Sequence, residues 1–110
     1  MDINEAVRQD ATVLGLSGRL NLVSAGSLKS RIDALVAGGT NRLVIDLTAV
    51  DFIDSSGLGA LIGGLKTARQ AGGDLRLAAA SEQVLAVLGL TNLDRILTPY
   101  ATVDEACREW

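Results

Sequence analysis

The chain has 110 residues, a net charge of −3 and no histidine. That length suits one domain, residues 1–110, and the lack of a basic cluster argues against nucleic-acid binding, which depends on neutralising phosphates. Without histidine, Ser-His-Asp catalysis, Cys-His catalysis and most zinc sites are excluded, and the single cysteine, Cys107, makes neither a disulfide nor a metal site by itself.

Residues 3–8 and 12–17 are predicted strands around the polar turn Gln9-Asp10, with Val13, Leu14 and Leu16 supplying apolar content. Ser24 is a candidate cap for a helix whose apolar positions, Ala25, Leu28, Ile32, Leu35 and Val36, recur at helical spacing. Gly38-Gly39 ends it. Residues 42–47 read as a buried strand, and residues 48–53 as the lead into the stretch Asp54-Ser55-Ser56-Gly57-Leu58-Gly59. A helix is predicted over 56–71, stopped by Gly72-Gly73, then a strand over 75–79. Ser81 caps a helix carrying Val84, Leu85, Val87 and Leu88 that stops at Gly89. A short strand over 95–98 follows, and Thr102 with Glu105 forms a capping box for a last helix.

The order ββαβαβαβα predicts an α/β fold with a mixed, mostly parallel sheet packed by helices and an antiparallel hairpin at its start. Hydrophobic residues make up 48% of the chain and only Phe52, Tyr100 and Trp110 are aromatic, so the core is aliphatic. The first residues have neither the basic nor the apolar region of a signal peptide, and the longest apolar run, 57–65, is about half a membrane span. A soluble cytoplasmic protein with no membrane association is expected.

In parallel α/β sheets, functional groups gather where strands end and helices begin. Residues 54–59 lie at such a junction, and four readings compete. Asp54, Ser55 or Ser56 could cap the helix, though capping accounts for one such residue rather than three. Gly57, Gly59 and Gly63 approximate a dinucleotide loop, but the acidic residue expected at the end of the next strand is missing; Asp74 stands at its start. Residues 59–67 resemble a P-loop with one residue too many before Lys66. A nucleophilic serine lacks both the G-x-S-x-G elbow and a histidine base.

The fourth reading is a serine that receives phosphate. From Leu43 to Leu65 there are three acids, Asp46, Asp51 and Asp54, and no base. Helix amides would ease a phosphate there, no cation nearby in sequence would pair with it, and a docked partner would meet new repulsion. Leu58, Leu61, Ile62 and Leu65 form one apolar stripe on the following helix. Its opposite side, with Gly59, Ala60, Gly63, Gly64 and Thr67, is small and neutral, open either to a partner backbone or to another element of the same domain.

The segment "LVIDLTAVDFIDSSGLGALIGGLKTARQAGG" resembles the central signature of the STAS domain, specifically the bacterial anti-sigma-factor antagonists. "LSGRL" at 16–20 and "LDRIL" at 93–97 fit as well, so the resemblance covers essentially the whole chain. It implies a protein that is not an enzyme and needs no cofactor or metal. Such an antagonist binds an anti-sigma factor with serine kinase activity and frees the sigma factor. The kinase then inactivates it by phosphorylating the second hydroxyl residue of the motif, here Ser56, and a PP2C-type phosphatase restores it.

The resemblance places Asp54, Ser55, Gly57, Leu58, Gly59 and Asn21 around Ser56 in the partner-binding surface. Val7 and Leu22 are further candidates, and a monomer or weak dimer is expected. Two positions depart from the family pattern. Asn21 stands where many members have aspartate near the phosphorylation site, which changes what a kinase meets, and Asn92 stands for a glycine, which tolerates the same left-handed backbone. The alternatives are a STAS scaffold or transporter accessory subunit without a phospho-switch, and a small nucleotide-binding protein.

Overall fold

The computed structural model describes residues 1–108 and 110. A two-residue turn joins β1 (Asp2–Arg8) to β2 (Ala11–Leu20) as an antiparallel hairpin. Then come α1 (Leu22–Ala37), β3 (Arg42–Ile53), α2 (Ser55–Gln70), β4 (Asp74–Ala78) and α3 (Glu82–Leu90). A 3-10 turn over Leu93–Arg95 leads to the two-residue strand β5 (Pro99–Tyr100) and the short helix α4 (Val103–Ala106). The sheet order is β1-β2-β3-β4-β5, with every pair after the first parallel.

Sequential order explains the layering. Each right-handed crossover steps in the same direction, so α1, α2 and α3 fall on one face of the sheet. That face holds the main core: Leu14, Leu16, Leu43, Ile45, Leu47, Leu75 and Leu77 from the strands against Leu28, Ile32, Leu61, Leu65 and Leu88 from the helices. The predicted stripe on α2 is buried at Leu58, Leu61 and Leu65 and half-buried at Ile62. The other face carries a smaller cluster, Ala11, Val13, Val44 and Ala78, which α4 covers with Ala106 and Cys107. Burial pushes the Cys107 thiol up, so it stays protonated and packs as a small apolar group.

Arg76 closes that second face. Its guanidinium donates to the carbonyls of Ala106 (3.0 Å) and Arg108 (2.5 Å). It also stacks 4.0 Å from the centre of the Trp110 ring and 5.3 Å from that of Tyr100. The Trp110 indole N–H donates to the Cys107 carbonyl at 2.9 Å. One strand side chain thus ties Ala106, Arg108 and Trp110 to the sheet.

Three sequence expectations are corrected. Residues 95–98 form no strand. Asn92 takes the left-handed conformation (φ 59°), the chain winds through the 3-10 turn, and Leu97 is buried with its amide donating to the Leu93 carbonyl at 2.7 Å. Pairing begins only at Pro99, at the sheet edge, where a residue without an N–H is tolerated. The helix start expected at Ser24 lies three residues earlier, at Asn21. Residues 48–53 continue strand β3, and pair with β2 alone, because β4 pairs no further along β3 than Asp46.

Removal of the Arg76 clamp by Arg76→Ala should lower the unfolding free energy by about 2 kcal/mol. Urea denaturation followed by Trp110 fluorescence measures it; an unchanged midpoint would mean that the Arg76 contacts add nothing to stability.

Candidate functional site

Beyond Asp46, β2 and β3 continue as a two-stranded extension in which Arg19 pairs with Phe52 and Leu20 with Ile53. Asp46 marks the departure, its Oδ1 accepting from the Thr48 amide at 3.0 Å and hydroxyl at 2.5 Å. Because the two strands are parallel and end in register, the helices that follow them begin side by side.

Each start is capped by a side chain. Asn21 Oδ1 accepts from the amides of Val23 (3.1 Å) and Ser24 (3.2 Å), and the Asn21 amide donates to Ser24 Oγ at 2.9 Å, a reciprocal capping box. Ser24 is buried, and its hydroxyl donates to the Arg19 carbonyl at 2.7 Å. Asparagine here does the capping that aspartate would do, without the charge. Asp54 caps α2, its Oδ1 accepting from the Gly57 amide at 2.9 Å. Its Oδ2 accepts from the Leu22 amide at 3.2 Å, in the first turn of α1. Its own amide donates to the Leu20 carbonyl at 3.2 Å. One carboxylate therefore ties the two helix starts together.

Gly57 and Leu58 lie inside the domain, beneath the surface rather than on it. A Cβ on Gly57 would overlap the Leu20 carbonyl oxygen and stand 2.8 Å from Leu20 Cγ. Glycine is required there because α2 begins against the end of β2. On the neutral side of α2 the two outcomes left open by the sequence divide the surface. Ala60 and Gly64 are covered, a Cβ at Gly64 falling 2.7 Å from Ile32 Cδ1 on α1. Gly59 and Gly63 have open space where a Cβ would stand.

The result is a groove between α1 and α2, lined by Ala25, Gly26, Lys29, Ser56, Gly59 and Gly63. Ser56 is half-buried in it and Ser55 is exposed beside it. Leu22 and Val23, consecutive in the first turn of α1, are 74% and 88% exposed. Asp54, Ser55, Ser56, Gly59 and Asn21 thus gather around one end of the sheet together with Leu22, whereas Val7 lies near the hairpin turn at the other end.

Lys29 and Val23 escape a reading along the chain. Lys29 reaches the groove because two helices pack, and the acidic run from Leu43 to Leu65 gains a cation from outside itself. A second arrives through strand pairing, as the Arg19 guanidinium lies 5.1 Å from the centre of the Phe52 ring. The signal available for Val23 was its place on α1 outside the apolar stripe. Among the described residues no helix is long and apolar enough to cross a membrane.

The model of the STAS domain matches residues 2–106. The chain belongs to the STAS domain family. Among the relatives of this STAS protein, the anti-sigma-B factor antagonist of Bacillus subtilis is 31% identical over 99 residues, 88% of this chain and 90% of that one. Among solved structures, a Thermotoga maritima protein assigned to the anti-sigma factor antagonists is 34% identical and superposes with a TM-score of 0.88, over 94% of this chain and 90% of its own. An anti-sigma factor antagonist from Mycobacterium paratuberculosis is 30% identical with a TM-score of 0.80, over 96% and 89%.

The overlap at Gly57 is with backbone, which no side-chain rotation relieves. Gly57→Ala should therefore cost at least about 2–3 kcal/mol of stability, whereas Gly59→Ala, facing open space, should be neutral or slightly stabilising. Thermal denaturation of the two variants tests the difference; equal midpoints would contradict the close packing of α2 on β2.

Proposed function

We propose that this protein is an anti-sigma-factor antagonist whose binding surface is switched off by phosphorylation of Ser56. In the unphosphorylated form, Leu22, Val23 and the shallow groove floored by Gly26, Gly59 and Gly63 dock an anti-sigma factor that carries serine kinase activity. Release of the sigma factor follows from that occupancy. The protein works by binding and performs no chemistry of its own.

The observation that carries this reading is the place of Ser56: a hydroxyl lining the groove, in the first turn of α2, at the end of the sheet where α1 opens with the exposed Leu22 and Val23. Phosphate brings close to two negative charges. The amides of the first turn of a helix have no intrahelical partners and favour an anion, and the Lys29 ammonium on the facing helix compensates part of the charge. The fold therefore tolerates the modification. A partner that needs the groove does not, because it would have to strip water from a dianion and face the carboxylate of Asp54 beside it. A phosphatase of the PP2C class resets the surface. Asp54 is already committed to two amides, so its role is to hold the helix starts in place rather than to touch the phosphate.

Ser56→Asp should weaken binding to the cognate anti-sigma factor by roughly tenfold or more, with Ser56→Ala binding like the parent in calorimetric titration. Incubation with that kinase and ATP should place phosphate on Ser56 by mass spectrometry. Phosphate on Ser55, or equal binding by both variants, would refute the switch. Val23→Ser should weaken binding while leaving the unfolding midpoint unchanged, since the side chain is almost fully exposed.

A further inference from the structure

We infer that β1 is a self-association edge, through which two copies of this chain pair antiparallel about a two-fold axis at Glu5. Among the described residues the sheet ends on β1, and β1 is paired on one side only. Arg8 and Ala11 pair across a two-residue turn, which makes them a hydrogen-bonded pair. Alternation then turns the N–H and C=O groups of Asp2, Asn4, Ala6 and Arg8 towards β2, and those of Ile3, Glu5 and Val7 outwards. An open row of this kind is a template for another strand.

The strand is complementary to itself in one register. With Glu5 on the axis, Ile3 faces Val7 of the second copy, Asn4 faces Ala6, and Asp2 faces Arg8. The outward groups of Ile3, Glu5 and Val7 then form about six backbone hydrogen bonds. On the helix side of the sheet, Val7, which is 78% exposed, packs on Ile3 of the second copy, a residue already seated against the core. On the other side, Asp2 and Arg8 of opposite copies make two ion pairs, extending the pair Arg8 makes with Asp104. The two Glu5 carboxylates at the axis are not bare charges, because Arg31 of α1 holds Glu5 at 2.6 Å, so the axis carries two acids and two bases. The edge holds neither proline nor lysine, and in this register each of its charges, Asp2, Glu5 and Arg8, meets an opposite one.

The contact joins two five-stranded sheets into one continuous sheet. Antiparallel pairing points the two Ser56 ends in opposite directions, so both groove surfaces stay open and the pair is a bivalent binder. Seven residues of edge is a small interface, and the association is weak and reversible. It does not depend on the Ser56 switch.

Sedimentation velocity from micromolar to millimolar protein should show the mean mass rising towards twice that of the monomer. Amide exchange at Ile3, Glu5 and Val7 should slow as concentration rises, while exchange at Asn4, Ala6 and Arg8, bonded to β2 in either state, should not change. Val7→Pro removes one outward N–H without touching the hairpin and should keep the protein monomeric; if that variant unfolds, Val7→Lys takes its place. A monomer at every concentration overturns the inference and leaves the edge to a strand of another protein. So does a dimer that survives both substitutions, or exchange at Ile3, Glu5 and Val7 that ignores concentration.

Discussion

The Asp54 carboxylate accepts from Gly57 in its own helix and from Leu22 in the neighbouring one. Those two bonds set the relative placement of α1 and α2 at the end where both begin. Each satisfies an amide that the helix itself leaves unpaired, so helix initiation and helix–helix placement are one event. The arrangement is possible only because β2 and β3 run on together past the last residue of β3 that pairs with β4. Gly57 then lets α2 start in contact with Leu20. Without that approach the carboxylate would not reach Leu22, and the groove carrying Ser56 would have different walls.

The charge pattern of the site follows from the same geometry. Along the chain, the motif stands in an acidic, cation-free stretch. In the fold, Lys29 enters the groove from α1 and Arg19 lies against Phe52 from the adjacent strand. Of the two, Lys29 shares the groove with Ser56 and would bear on the phosphate proposed there. On the proposed switch, that cation would lower the cost of the phosphate to the folded chain but not its cost to a docked partner, which would have to displace the water around it.

Legibility varied with how local the deciding interaction was. Ser81 and Thr102 cap their helices as expected, because a hydroxyl three residues before a free amide is a local pattern. The left-handed backbone of Asn92 was likewise readable from residue type. Ser24 was expected as the cap of α1 and Asn21 takes that place, although both residue types cap well. The choice fell to Asn21 because strand pairing runs through Leu20 with Ile53, so the helix starts immediately afterwards. Residues 95–98 misled for a similar reason. A short apolar stretch does not tell strand from turn by its own pattern, and only Leu97 among them is buried.

By itself the sequence determined the α/β order, the apolar stripes of α1 and α2, the exclusion of histidine-dependent chemistry and the position of Asp54-Ser55-Ser56 at a strand–helix junction. These rest on periodicity, turn residues and composition, all of which act over a few neighbouring residues. Tertiary structure alone decided that residues 48–53 remain strand, that Asp54 reaches Leu22, that Lys29 shares a groove with Ser56, and that Leu22 and Val23 stay in solvent. Each of those joins residues more than 20 positions apart or depends on what packs against a helix face. Chain-local pattern carries no information about either.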